Sequence, residues 1–533
     1  MMKKATLLLC TLYLAISASA QLIEPPLEVR AADFLPYDYF GRVDLSNTRL
    51  AVGVPFKGQD EMRSSELIPR YGAAFIFDKN EEGWLQTARL EASDRIPFNR
   101  FGWSVAVSGN HLLVTAPLEG EDENGENTML SPGAAYLFQR GDKDMWAETQ
   151  KIVASDRTAR DDFGSSAAMD GQYALVGARR QDFDQHGENY MAEAGAAYFF
   201  KRNQDGVWEE QAKVVASDRS HYDDFGGTVD ISGARAIIGA YGEDNIPPTG
   251  DPENADFTKI GAAYIFERST DDEWTEVQKI VGSDRESADA FGKSVAIHGD
   301  YAVVGAPGKD WSGILINYKG VGTAYVYKRN EDGEWIEMQR LNASDREDED
   351  AFGWSVAIHG DLIVVGAYGE GEAINQGAAY VFQRNEDESW TEIQKIIAPN
   401  GQSEDRFGEF VAIHQGQAAV AAPFANQPNA ISAGAVYLYD YEVTTAVAAV
   451  PAGEQVIVSP NPVQEQLTIQ LNSHWGELEV SVINALGQVV LSKRYTPQSG
   501  EVELNLARIP AGMYFIQLAA KGRKIITRSV VKK

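Results

Sequence analysis

Residues 101–157 read FGWSVAVSGNHLLVTAPLEGEDENGENTMLSPGAAYLFQRGDKDMWAETQKIVASDR. Four short apolar runs stand in this stretch, each closed by turn residues. Ser104-Val105-Ala106-Val107 runs into Ser108-Gly109-Asn110, and Leu112-Leu113-Val114-Thr115 ends at Ala116-Pro117 before a polar loop. Gly133-Ala134-Ala135-Tyr136-Leu137-Phe138 meets Gly141-Asp142-Lys143-Asp144, and Trp146 to Val153 alternates before Ala154-Ser155-Asp156-Arg157. Runs of this length between Gly, Asn and Asp turns predict one antiparallel four-stranded sheet. The opening Phe-Gly recurs at Phe40, Phe101, Phe163, Phe225, Phe291, Phe352 and Phe407, in steps of 61, 62, 62, 66, 61 and 55 residues. So regular a period marks one unit copied along the chain, each copy burying its apolar face against the next.

The other motifs repeat in the same order. Gly-Ala-Ala-Tyr returns at Gly195, Gly261 and Gly377, with variants at Gly72, Gly322 and Gly434, and the fourth-strand tryptophan returns as Trp84, Trp208, Trp274, Trp335 and Trp390. Seven such sheets predict an all-β protein built as a seven-bladed β-propeller, where radial packing leaves only short, protected edges. The last copy, Phe407 to Tyr441, has no Ala-Ser-Asp strand after it, whereas Leu27-Glu28-Val29-Arg30-Ala31-Ala32-Asp33 precedes the first. Residues 27–33 are therefore expected to pair with the strand near Val436 to Tyr439 and close the seventh blade, removing an open edge. The organisation expected is a signal peptide at 1–20, the propeller at 27–443, a linker at 444–455, and a small immunoglobulin-like β-sandwich at 456–533.

The chain has 533 residues and a net charge of −31, which argues against nucleic acid and anionic membranes as partners. Lys3 and Lys4, the apolar stretch Ala5 to Ile16 and Ala18-Ser19-Ala20 have the order of a secretory leader, with cleavage between Ala20 and Gln21. The single cysteine, Cys10, leaves with that leader, so the mature chain has no disulfide, thiol nucleophile or Cys-ligated metal. No second long apolar segment follows, so the product is expected to be exported, with no transmembrane segment.

Phe-Gly, then Val-Gly-Ala-Pro, then Gly-Ala-Ala-Tyr resembles the FG-GAP repeat family, which includes the integrin α-chain propeller. The resemblance covers residues 27–443. Gly-Ala-Pro is intact at Gly305-Ala306-Pro307 and altered at Gly177-Ala178-Arg179, Gly239-Ala240-Tyr241 and Gly366-Ala367-Tyr368. Family members often bind calcium through Asp-x-Asp-x-Asp-Gly between the first two strands. Here those loops are Ser108-Gly109-Asn110, Asp170-Gly171-Gln172, His298-Gly299-Asp300 and His359-Gly360-Asp361, which offer at most one carboxylate each. No cofactor is expected. The nearest match to a calcium loop is Asp182-x-Asp184-x-His186-Gly187-Glu188, with an acidic surface loop as the alternative. Residues 456–533 resemble the C-terminal sorting domain of the Bacteroidetes type IX secretion system, in Ser459-Pro460-Asn461-Pro462, the Gly487 turn, the Leu506 to Tyr514 segment and the basic end. That resemblance implies passage through the periplasm to the outer cell surface or the medium, with the type IX machinery as partner.

No catalytic residue is assigned. His298, His359 and His414 hold one repeated position and are expected to be structural. Asp94, Asp156, Asp218, Asp284 and Asp345, each followed by Arg, recur between blades and are expected to form inter-blade links rather than a catalytic pair. Arg140-Gly141-Asp142 matches the integrin ligand tripeptide but stands in a turn that wants Gly and Asp. The loops between second and third strands vary most, and they are expected to share a face with the inter-blade turns. They carry the ligand-binding candidates Glu121 and Asp122, Glu243 and Asp244, and Trp311, Ile314, Leu315 and Tyr318. The functional expectation is a noncatalytic cell-surface or secreted propeller that binds a protein or glycan through these loops, as in adhesion. The alternatives are a secreted polysaccharide hydrolase with its site at the channel mouth, and a structural surface-layer component.

Overall fold

The structure is a computed structural model that describes residues 21–22, 26–58, 70–81, 83–244, 259–310, 320–371 and 375–442, and in the C-terminal part 456–459, 463, 466–471, 478–484, 489–496, 501–510, 512–520 and 526–532. The leader and the linker assigned from sequence lie outside the described residues. Every element among those described is a strand. Two compact units result, one spanning Ser19–Val443 and the other containing Thr444–Lys533.

Among the described residues, the first unit holds seven antiparallel sheets. One is Arg42–Ser46, Arg49–Val54, Ala73–Asn80 and Gly83–Leu90, in that spatial order. The innermost strands neighbour one another in sequence order, and Phe410–His414 of the last sheet returns against Arg42–Ser46 of the first. The ring is therefore closed around an axis. The seventh sheet takes its outer strand from the N-terminal end, with Leu27 opposite Leu438, Glu28 opposite Tyr437 and Val29 opposite Val436. Gln21 and Leu22 extend the pairing to Glu442 and Tyr441.

Second and third strands are covered on both faces by neighbouring sheets, so they read as unbroken apolar runs rather than alternating ones. Tyr173–Ala178 is buried throughout, while the outer strand Trp208–Val214 alternates with exposed positions. The motifs are the joints between blades. The Phe-Gly phenylalanine enters between aromatic rings of its own third strand: Phe163 lies edge-on to Tyr198 at 5.4 Å and to Phe200 at 6.1 Å. The glycine of Gly-Ala-Ala-Tyr bridges to the next blade's phenylalanine, as Gly133 does to Phe163. Gly133 has φ +91°, and a Cβ there would stand 2.0 Å from the Phe163 carbonyl oxygen.

The repeated Ser-Asp pairs latch each blade to the next. Asp218 accepts hydrogen bonds from the Tyr264 hydroxyl at 2.7 Å and the Lys279 ammonium at 2.7 Å, while Ser217 donates to Glu276. Asp156, Asp345 and Asp94 repeat the bond with Tyr198, Tyr380 and Tyr136. Burial works against the charge on Asp218, but the bonds from Lys279 and Tyr264 outweigh it and hold its carboxyl below the ordinary range. Asp345 is lowered in the same way, burial again being outweighed by Lys395 and Tyr380. Carboxyls depressed by folding stabilise above their unfolded pKa of about 3.9, and that stability is lost as pH falls through the folded value. Tyr264→Phe is expected to cost about 1 kcal/mol at pH 7, with the difference from the parent protein shrinking below about pH 4. Urea unfolding at pH 7 and pH 3.5 measures both.

In the second unit, Val456–Ser459, Gln466–Leu471 and Glu501–Asn505 form one sheet, and Val489–Tyr495, Leu478–Asn484, Gly512–Ala520 and Ile526–Lys532 form the other. Leu467, Ile469, Val480, Val502, Leu504 and Ile516 from both sheets make one core, as in a small β-sandwich.

Candidate functional site at the mouth of the axial channel

The inner strands enclose a channel with two cavities, about 390 Å³ and 440 Å³, which meet at Val43, Val105, Val229, Val295 and Val356. The larger opens on the face that carries the inter-blade turns. The loops between second and third strands are on that face too, since Arg157 in an inter-blade turn donates to the carbonyls of Gly120 and Asn127.

All seven residues that follow a Phe-Gly line this mouth: Arg42, Trp103, Ser165, Gly227, Lys293, Trp354 and Glu409. Their placement follows from the joint. With phenylalanine buried and glycine packed on the neighbouring blade, the next side chain projects from the start of the inner strand towards the axis. The residue before each Phe-Gly is held in the left-handed region although none is glycine, as at Arg100 (φ 61°) and Arg406 (φ 54°). Arg179 and Tyr241, where an intact motif has proline, line the mouth as well.

Cations and aromatic faces alternate here. The Arg42 guanidinium stands 3.9 Å from the Trp103 ring centre and 4.6 Å from that of Phe410. Arg100 is 4.9 Å from Trp103, and Lys293 is 4.4 Å from Tyr241 and 5.0 Å from Trp354. The Trp103 indole N–H donates to the Ser165 carbonyl, which fixes the ring, and Tyr368 meets Trp354 edge-on at 4.7 Å. Other mouth charges are matched: Arg179 with Asp162 at 3.3 Å, Lys259 with Asp224 at 4.0 Å, and Arg406 with Glu409 at 3.9 Å. Among the described residues, the side chains of Arg42, Arg100 and Lys293 make no hydrogen bond or ion pair. Burial brings the Lys293 ammonium down to about 8, Arg179 adding to the effect and Asp224 opposing it. A cluster of cations without direct ion pairs thus sits on the axis of a chain whose net charge is −31, with Glu409, Asp162 and Asp224 acting on Arg42, Arg100 and Lys293 from a longer range.

The opposite cavity differs. His298, His359 and His414 stack there with ring centres 4.2 Å and 4.3 Å apart. Burial, with His298 and His414 beside it, lowers His359 to about 4, so the stack is neutral at pH 7. Asp44 and Asp230 face this cavity and bind the next blade's backbone, accepting from Val107 and Ile297 at 2.7 Å each. Burial pushes them up to about 6 and about 7.

The residues singled out in the sequence fall elsewhere. Asp122 is buried and caps its own loop, accepting from the backbone of Asn124 and Glu126 and from the Asn127 side chain. Asp184 repeats this with His186, Glu188 and Asn189, while Asp182 accepts from the Glu193 backbone. Burial opposes the charge on Asp184, but the backbone bond from Glu188 leads the bonds that bring it to about 2. These carboxylates are engaged in shaping loops, and Glu188 gives its backbone rather than a converging side chain. No group of three acidic, His or Cys residues among those described could hold a metal ion. Glu243 is tied to Lys279 at 2.8 Å and Arg285 at 2.5 Å, an inter-blade link, with Asp244 buried beside it. Glu121 is half-buried on the 119–133 loop. Trp311, Ile314, Leu315, Tyr318 and Ala20 lie outside the described residues, and Gln21 pairs through its backbone with Glu442. From sequence the channel mouth was named only for the hydrolase alternative, with no residue assigned to it, although the chain carries a signal for its lining. In copies otherwise so alike, the residue after Phe-Gly runs Arg, Trp, Ser, Gly, Lys, Trp, Glu.

A closed ring of four-stranded sheets around a lined channel defines a β-propeller. The FG-GAP repeat family model matches residues 84–138, 146–200, 208–266, 274–327, 335–382 and 390–439, and the chain belongs to that family. Each match begins at one blade's outer strand and ends at the next blade's third strand. The seventh such unit, made of residues 27–33 with 42–80, is not among the matched stretches. Residues 458–532 match the secretion system C-terminal sorting domain, so the chain is cargo of the type IX system, exported to the cell surface or the extracellular space. Among the described residues no helix is long and apolar enough to cross a membrane.

Among solved structures, the chain is similar to PorZ of Porphyromonas gingivalis, described as an essential bacterial surface component of the type IX secretion system. Identity is 13% and the TM-score 0.43, over 96% of this chain and 61% of that one. It is also similar, at 21% identity and a TM-score of 0.13, to a DUF3244 family protein from Bacteroides vulgatus with an immunoglobulin-like β-sandwich fold, over 15% of this chain and 83% of that one. Comparison with curated proteins finds no match.

Proposed function

We propose that the exported propeller is a noncatalytic surface or secreted binding protein that captures a protein or glycan on the face carrying the channel mouth, as an adhesin does. The observation behind this reading is the mouth itself: Arg42 and Lys293, at the varied position after Phe-Gly, and Arg100, just before one, stand on aromatic faces with no hydrogen bond or ion pair among the described residues. A scaffold alone has no use for desolvated cations, which cost stability unless something completes them. The neighbouring carboxylates favour binding over acid–base chemistry. Asp162, Asp224 and Glu409 each lie in an ion pair with a neighbouring cation rather than together as an acid–base pair. The loop carrying Glu121 lies on the same face and would meet the outer parts of a large ligand.

The test is a binding screen of the secreted protein against host glycoproteins and glycans, repeated with Lys293→Gln/Trp354→Ala. A ligand whose Kd rises at least tenfold in the double variant places recognition at the mouth. A ligand bound equally well by both proteins moves it away.

A further inference from the structure

We infer that the mouth takes an acidic sugar, a ring bearing a carboxylate or sulfate, with the acid group met by Arg42, Arg100 and Lys293 and the apolar faces of the sugar by Trp103 and Trp354. This rests on the proposed binding role and names the ligand class for it.

Three observations point to that chemistry together. Arg42, Arg100 and Lys293 have no hydrogen-bond acceptor or ion-pair partner among the described residues, and a guanidinium carries five N–H donors in a fork that matches carboxylate or sulfate. A bare inorganic anion would satisfy those donors, but it would fill little of a mouth lined also by Trp103, Tyr241, Trp354 and Phe410. Flat aromatic walls beside cations suit a ligand with both a C–H face and a charge, which an acidic sugar has. The third observation is size: a cavity of about 440 Å³, open to solvent, lies within the range of small-ligand sites. The positive mouth of an acidic protein also orients the approach of an anion, since the net charge of the chain is strongly negative.

The experiment is titration calorimetry on the full secreted chain with four probes: oligogalacturonate, chondroitin sulfate oligosaccharide, a neutral galactan oligosaccharide and poly-glutamate. The expected result is binding of an acidic oligosaccharide, with affinity at least tenfold above both the neutral sugar and poly-glutamate. The uronate and sulfate arms tell which acid group is preferred. Lys293→Gln and Trp354→Ala should each weaken binding at least tenfold, whereas Lys328→Gln, a third-strand cation paired with Glu388, should leave it unchanged. Poly-glutamate binding as tightly as the sugars would reduce the site to a charge effect and overturn the inference. So would retention of sugar binding in Trp354→Ala, or no binding of either acidic sugar. If the acidic sugars fail while a glycoprotein still binds in a manner lost in Lys293→Gln/Trp354→Ala, the ligand class is wrong and the binding role stands. If neither depends on the mouth, both fall.

Discussion

Gly177→Ala is expected to destabilise the propeller by about 3 kcal/mol or more, although it adds one methyl group to an alanine-rich strand. A Cβ on Gly177 would stand 1.9 Å from the carbonyl oxygen of Gly226 and 2.5 Å from the Ser166 hydroxyl. The first of these atoms is backbone, part of the next blade's Phe-Gly joint, so no rotamer change can relieve the clash. Two blades must move apart, and with them the ring on both sides. Gly239 against Gly292 and Gly305 against Gly353 repeat the contact. The control is Gly171→Ala in a hairpin, where φ is +59° and nothing lies within 4 Å of the new methyl. It should cost only about 1 kcal/mol, for the left-handed backbone. Chemical unfolding of both variants measures the difference. Equal effects would mean that the inter-blade approach is softer than its geometry.

The second large effect is expected from removing residues 21–33. That deletion takes away the outer strand of the seventh blade, the buried Val29 and Ala31, and both contacts of Asp33 with Lys57 and Arg89. Lys57, 1% exposed, would keep only Asp38 at 3.0 Å. Loss of part of a buried charge network costs about 3–5 kcal/mol by itself, and the bared edge of Ala435–Glu442 invites pairing between molecules. The shortened protein should unfold in more than one step and self-associate, as calorimetry and light scattering would show. A single transition like that of the parent would mean the strand contributes nothing to closure. Asp33→Asn tests the milder end, with a loss of about 1–2 kcal/mol.

Why some features were legible and others were not follows from what the repeats share. Phenylalanines and glycines that recur seven times report contacts made seven times, so strand order, turns and the joints between blades could be read from spacing alone. The offset of the repeat was legible too, because Leu27 to Asp33 matches an outer strand and the last copy lacks one. The five inter-blade aspartates were readable as links for the same reason, and Tyr136, Tyr198, Tyr264, Tyr325 and Tyr380 prove to be their partners. The ligand-binding candidates read from the sequence stand on the variable loops, Glu121, Asp122, Glu243 and Asp244 on acidic ones and Trp311, Ile314, Leu315 and Tyr318 on an apolar one. Length and charge in a loop say nothing of whether its carboxylates are free, and Asp122, Asp184 and Glu243 are engaged within the fold.

By itself the sequence determined the repeating unit, its four strands, the closing strand and the exported destination, because local alternation, turn chemistry and periodicity are properties of neighbours along the chain. Only the tertiary structure decided which residues line the mouth together. Arg42, Trp103, Lys293 and Trp354 are far apart in sequence, and nothing local marks them as partners. They meet because ring closure turns seven equivalent positions inward onto one axis, where cations lose water and aromatic faces line one cavity.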